Sequence, residues 1–241
     1  MRIDVNNDDT AVAQRAAALI VQKIDAAVAA RGRACLAFSG GRTPWPMLRA
    51  LAEADVPWRH VHVFQTDERI VPMDDPARTL SQLRDALLSH VPTAPEHVHS
   101  MPVDDIDLNA AAERYASDLA RIAGTPPVLD LVHLGLGDDG HTASLVPGDC
   151  ALNVSSTDVT LSGPYQGHRR MTLTFPLINR AEAILWLVTG PGKADMLRRL
   201  WNGDHEIPAG RVKRDGAVIV TDWAAAQHLS KDVDQNDGQT A

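Results

Sequence analysis

Short apolar runs, each followed by a stretch of helical periodicity, constrain this chain more than any other feature. Residues 34–38, 61–64, 129–134, 183–188 and 217–220 are apolar with few interruptions, whereas a strand with one face in water alternates. Segments patterned as helices lie between them. The first runs from a cap at Asp9-Thr10 to Arg31, with Val12, Leu19, Ile20 and Ile24 on one face and Gly32 as its stop. The second opens at Pro44 and Pro46 and ends near Ala54. Further helices are predicted at 79–90, at 107–122 with Asp107 as cap, at 193–201, and from a cap at Asp222 to about Leu229. Residues 98–101 fit another short strand, and 171–175 alternate as a half-exposed strand would. The Ser-, Thr- and Val-rich stretch 153–163 reads as a peripheral strand or loop.

Buried strands separated by helices predict an α/β fold, with a Rossmann-like, doubly wound, mainly parallel sheet and helices on both faces. The 241 residues suit a single domain over 1–229. The polar tail 230–241 has no apolar anchor and is expected to be disordered.

Ligands of such sheets bind outside the carboxyl ends of the strands, and four unusual segments fall at those ends. Ser39-Gly40-Gly41-Arg42-Thr43 follows the first apolar run and precedes a helix. Glycines there allow close backbone approach, and free amides at a helix start attract anions, so this is either a phosphate cradle or a tight strand-to-helix turn. Residues 66–69, with Asp67 and Arg69, follow the second run. Residues 135–141 hold Gly137, Asp138, Asp139 and His141. A histidine titrates near neutrality and can act as a general base with a carboxylate such as Asp139 fixing its tautomer. The alternatives are a loop histidine satisfied by backbone and an aspartate that caps the next turn. Lys193 opens a helix after a glycine turn, a poor place for a cation unless an anion sits beside it; otherwise it is a solvated surface lysine.

Composition narrows the partners. The net charge of −8 argues against nucleic acid, and a phosphorylated ligand would need a local gathering of cations against that field. No apolar run approaches the ~20 residues of a membrane span. The polar, acidic start lacks a secretory pattern, so the expected location is cytoplasmic. Two cysteines make neither a disulfide framework nor a zinc site; Cys35 reads as a core thiol. The pairs His60/His62 and His97/His99 lack a third nearby ligand, so no metal is expected. The five tryptophans read as packing residues.

At 38–44, 66–72, 134–145, 170–176 and 188–194 the sequence resembles the 6-phosphogluconolactonase family, within the larger glucosamine-6-phosphate isomerase/lactonase superfamily. The resemblance covers nearly the whole chain. Its most specific part is Thr142-Ala143-Ser144-Leu145 after His141, the lactonase form rather than the deaminase form. Two positions depart from the family pattern: Val146 stands where lactonases usually have Phe, and Arg78-Thr79-Leu80 where Ser-Asn-Tyr is common.

The resemblance implies hydrolysis of 6-phospho-D-glucono-1,5-lactone with no cofactor and no metal. It implies His141 as base supported by Asp139, with Asp67 and Arg69 orienting the sugar or stabilising an oxyanion. Ser39, Gly40, Gly41, Arg42, Thr43, Gly137, Arg170 and Lys193 would bind substrate, with Arg169 either sharing the role of Arg170 or pointing away. The expected partner is a small phosphorylated sugar lactone, with no nucleic acid or membrane, in a monomer or small homo-oligomer. The alternatives are an amino-sugar-phosphate isomerase or deaminase using Asp67 as base, and a non-catalytic sugar-phosphate sensor.

Overall fold

A computed structural model describes residues 1–41 and 43–229. The expectation for 230–241 lies outside the described residues, as does Arg42. The strands are β1 (Arg2–Asn6), β2 (Ala34–Phe38), β3 (Val61–Gln65), β4 (Asp67–Arg69), β5 (Val98–His99), β6 (Leu131–Leu134), β7 (Val159–Tyr165), β8 (His168–Leu173), β9 (Ile184–Val188) and β10 (Ala217–Asp222). The helices are α1 (Asp9–Arg31), α2 (Pro44–Ala52), α3 (Thr79–Leu83), α4 (Leu108–Ala123), α5 (Phe175–Arg180), α6 (Ala194–Trp201) and α7 (Trp223–Ala226).

Seven strands form a parallel sheet in the order β1-β10-β9-β6-β2-β3-β5. The expected α/β, doubly wound architecture is therefore present. Strand residues alternate between two cores. Leu36 and Phe38 pack with α1 and α2, while Cys35 and Ala37 face the side of α4, α5 and α6. Both faces are covered, which is why these strands read as unbroken apolar runs. The chain lays β2, β3 and β5 in one direction and then returns to place β6 on the other side of β2. The crevice between β2 and β6 is thus the topological switch point, where open sheets of this kind hold ligands.

The capping signals hold with one shift: α1 is capped by Asp8, whose carboxylate accepts from the Ala11 N–H, and Gly32 ends it in the left-handed conformation. Asp107 and Asp222 cap α4 and α7 as expected. The helix predicted at 79–90 is α3 continued by a π-helical turn at Arg84–Leu88.

Three expectations are corrected. The first six residues add β1 as an outer strand of the large sheet, although their sequence reads as a polar start. The strand at 98–101 shrinks to two residues. The segment 171–175 is buried throughout, because β8 is the middle strand of a separate antiparallel sheet, β4-β8-β7, covered on both faces. Among the tryptophans, Trp186 and Trp58 are buried, whereas Trp223 is half exposed. Cys35 is buried, and burial pushes its thiol up to about 11; Cys150 is exposed.

Candidate active site

A cavity of about 220 Å³ opens over the switch point. It is lined by Ser39, Gly40, Gly41 and Thr43 after β2, by Asp67 and Arg69 of β4, and by Gly135, Gly137 and His141 after β6. Arg170 of β8 and Lys193 at the start of α6 complete the set of predicted residues that reach it. Four loops that are far apart in sequence therefore meet at one sheet edge.

The loop 135–141 is built around His141. Its Nδ1 lies 2.6 Å from Asp139 Oδ1, and the same oxygen accepts the His141 backbone N–H at 3.1 Å. Burial pushes the Asp139 carboxyl upward, but the bonds from His141 outweigh it and hold the carboxyl below its ordinary range. An ionised Asp139 accepts from Nδ1–H, which fixes the tautomer and leaves Nε2 as the basic nitrogen. Asp139 lies behind the histidine and does not line the cavity.

Gly137 lines the cavity and also stands against the His141 ring. A Cβ at this position would stand 2.0 Å from His141 Nδ1 and 2.3 Å from Cε1. The glycine is the seat in which the imidazole rests. Asp138, the other acid of the loop, reaches across to pair with the Lys193 ammonium. Lys193 is the N-cap residue of α6, as the sequence implied, but its charge is already partly answered by that exposed carboxylate.

The residues after His141 tie the loop to β4 and β8. Thr142 Oγ1 donates to the Gly135 carbonyl, and the Ser144 N–H donates to Thr172 Oγ1. Ser144 Oγ donates to Asp67 Oδ2 at 2.6 Å, and Thr66 Oγ1 donates to the other Asp67 oxygen at 3.1 Å. Asp67 is 8% exposed with both oxygens engaged. A carboxylate held in this way positions its neighbours more readily than it abstracts protons. Beside it, Glu68 is fully buried and accepts from the N–H groups of Arg69, Thr79 and Leu80 and from Gln65 Nε2. That cluster makes β4 a rigid platform.

The departure from the family pattern at 78–80 has a structural counterpart here. Arg78 is 1% exposed and makes a two-pronged bond to Asp104 at 2.8 and 2.9 Å. Thr79 lines the cavity and packs so tightly on Gly40 that a Cβ there would lie 2.3 Å from the threonine methyl.

The cations form the gathering that a net charge of −8 made necessary for any anionic ligand. Arg170 is 5% exposed, and its Nε makes no hydrogen bond among the described residues. Burial lowers its basicity, with the nearby Asp67 acting in the opposite sense. Arg170 stands directly opposite Arg69 in the β4–β8 ladder, and the Asp67 carboxylate, 3.9 Å from the Arg170 guanidinium, offsets part of the repulsion between them. Arg69 spends one nitrogen on the Ala77 carbonyl at 2.7 Å. Arg169 is exposed on the other side of its strand, the second of the two orientations expected. The loop after β2 adds polarity of another kind. Among the described residues no hydrogen bond uses the amides of Gly40, Gly41 or Thr43, at the head of the nine-residue α2. Ser39, by contrast, donates its hydroxyl to the His133 carbonyl at 3.0 Å, with Thr66 Oγ1 2.8 Å away.

Sequence reasoning missed His133 and Gln166 at the cavity, and Tyr165 beside His141. His133 hides in an apolar run; its Nδ1 accepts from the Ser39 N–H at 3.3 Å, and burial holds the ring down to about 4, so it stays neutral. Tyr165 and Gln166 belong to the β7–β8 hairpin, whose Gln-Gly turn was the available signal. The histidine pairs do not act as pairs. His62 Nδ1 lies 3.0 Å from His99 Nε2 with His97 against its ring, while His60 turns to the Gly32 carbonyl.

Comparison with known proteins fits this geometry. Residues 7–220 match the family of glucosamine-6-phosphate isomerases/6-phosphogluconolactonase. A 6-phosphogluconolactonase of Synechocystis is 37% identical over 236 residues, covering 95% of this chain and 98% of that protein. One of Mycobacterium tuberculosis is 39% identical over 241 residues, covering 94% and 98%. The crystal structure of a 6-phosphogluconolactonase from Thermotoga maritima superposes with a TM-score of 0.82 at 26% identity, over 92% of this chain and 98% of that one.

Proposed function

The chain belongs to the glucosamine-6-phosphate isomerase/6-phosphogluconolactonase family, and from that premise we propose that it hydrolyses 6-phospho-D-glucono-1,5-lactone to 6-phospho-D-gluconate. The observation that carries the reading is His141, bonded to Asp139 behind it and lining one cavity with Arg69, Arg170 and Lys193.

In the proposed step Nε2 of His141 takes a proton from a water, and the water oxygen adds to C1 of the lactone. Negative charge passes to the carbonyl oxygen, whose stabilisation is assigned to Arg69. Collapse breaks the bond between C1 and the ring oxygen, and that oxygen leaves as the C5 hydroxyl carrying the proton returned by His141. Asp139 balances the transient imidazolium, and such a base contributes about 10²–10⁴-fold. The substrate phosphate is assigned to Arg170, Lys193 and the amides of Gly40, Gly41 and Thr43, with Arg42 carried over from the family pattern.

The isomerase or deaminase reading needs Asp67 as a free base. Ser144, part of the lactonase-type Thr142–Leu145 stretch, occupies one of its oxygens and Thr66 the other, which favours the lactonase. Among the described residues no helix is long and apolar enough to cross a membrane. The test is proton release from freshly made 6-phosphogluconolactone, corrected for spontaneous hydrolysis, beside the unphosphorylated lactone and glucosamine 6-phosphate. Faster turnover of the phosphorylated lactone with no ammonia release is expected. Ammonia release from glucosamine 6-phosphate, or no acceleration on the lactone, overturns the reading.

A further inference from the structure

Tyr165 stands between the base and the cationic grip and touches both. Its ring meets the His141 imidazole edge to face at 5.0 Å, and its hydroxyl lies 3.4 Å from His141 Nδ1. The Arg170 guanidinium carbon lies over the same ring, 5.2 Å from its centre, and Arg170 also donates to the Tyr165 carbonyl at 3.4 Å. Burial pushes the phenol up, and the neighbouring Asp139 carboxylate pushes the same way, so the hydroxyl stays protonated and able to donate to that carboxylate.

Three local devices aim this side chain. The β7–β8 pairing breaks register between Ser162 and Tyr165, and a bulge of this kind re-aims the residues beyond it. The irregular segment is pinned by Asp149, whose Oδ2 accepts the Gly163 N–H at 2.8 Å. Beyond Tyr165 the chain reverses in two residues, Gln166 at φ 51° and Gly167 at φ 84°. Positive φ at both central positions marks the tight turn whose twist matches paired strands. Gln166 thus holds a left-handed conformation uncommon for a residue with a side chain, and such outliers cluster at functional sites.

We infer that Tyr165 is a positioning residue that couples the phosphate grip to the base. When the substrate phosphate orders Arg170, the guanidinium fixes the Tyr165 ring, and the ring and hydroxyl fix the His141–Asp139 pair. Binding energy from the remote phosphate is thereby spent on kcat as well as on affinity. This rests on the lactonase reading of the site.

The test compares the wild type with Tyr165→Phe and Tyr165→Ala on 6-phosphogluconolactone and on the unphosphorylated lactone, with Tm as a check on folding. The wild type is expected to show a higher kcat on the phosphorylated lactone. Tyr165→Phe keeps the ring but loses the hydroxyl, so kcat falls about three- to tenfold with KM nearly unchanged. Tyr165→Ala loses both links: KM for the phosphorylated lactone rises, and the kcat ratio between the two lactones collapses toward one. Should Tyr165→Ala fail to fold, the Tyr165→Phe split between kcat and KM decides alone. An unchanged kcat in Tyr165→Phe, or a kcat ratio retained in folded Tyr165→Ala, overturns the coupling. Absence of lactonase activity in the wild type overturns the functional reading itself.

Discussion

Replacing Gly137 by alanine separates the seat of the base from the rest of the fold. The new Cβ would stand 2.0 Å from His141 Nδ1, 2.3 Å from Cε1 and 2.7 Å from Cγ. Non-bonded heavy atoms separate to about 3.5 Å, so the imidazole must move by more than an ångström. The 2.6 Å bond to Asp139 does not survive such a shift. A misplacement of about 1 Å in catalytic geometry costs about 10²-fold, and full loss of a general base costs up to about 10⁴-fold. The variant is therefore expected to lose at least about 100-fold in kcat. Its KM should change little, because Arg170, Lys193 and the loop after β2 are untouched. Gly137 does not adopt the left-handed backbone, so alanine is tolerated there, and His141 sits at the rim with its side chain 20% exposed. The stability cost is then about 1–2 kcal/mol, the lost hydrogen bond. Steady-state proton release and a thermal melt measure the two effects. A folded Gly137→Ala enzyme with kcat within about threefold of wild type would show that His141 does not need this seat, and the reasoning would fail.

Two further outcomes follow from buried charge and buried neutrality. Arg170→Met should raise KM for the phosphorylated lactone by about tenfold or more while leaving KM for the unphosphorylated lactone unaffected, and Tm should fall, because the buried Asp67 carboxylate loses the cation 3.9 Å away; an equal effect on both lactones refutes the phosphate assignment. His133 is held neutral down to about 4 by burial, whereas the unfolded histidine takes its proton near 6.5. The unfolded state therefore binds more protons below that value, so this contribution is complete above about pH 6.5 and is lost as pH falls through about 4. Melts should show about 2 kcal/mol of destabilisation from this group by about pH 5, removed in His133→Asn; identical pH slopes in the two proteins contradict it.

The parts of the fold that were legible in the sequence are those buried on both faces. Strands β2, β3, β6, β9 and β10 announce themselves because two cores demand unbroken apolar runs. Strand β1 does not, because a polar edge strand pairs on one side only. The sheet β4-β8-β7 was hidden for other reasons: β4 is three residues, Asp-Glu-Arg, whose charges read as loop, and β7 contains Gly163 and Pro164. At the site, residue types that carry chemistry stood out, and the switch point brought them together. What residues do for one another did not stand out. Gly137 as the seat of an imidazole, Ser144 as the restraint on Asp67, and Tyr165 between His141 and Arg170 are contacts across long sequence separations or packing distances that no spacing encodes.

The central claim is that His141, oriented by Asp139 at the switch point, is the base of a lactone hydrolysis. Its most direct test is the kcat of His141→Ala on freshly made 6-phosphogluconolactone, with binding of 6-phosphogluconate measured in parallel. The expected result is a kcat at least about 100-fold below wild type with the product Kd within a few-fold. Near-normal turnover in that variant contradicts the account.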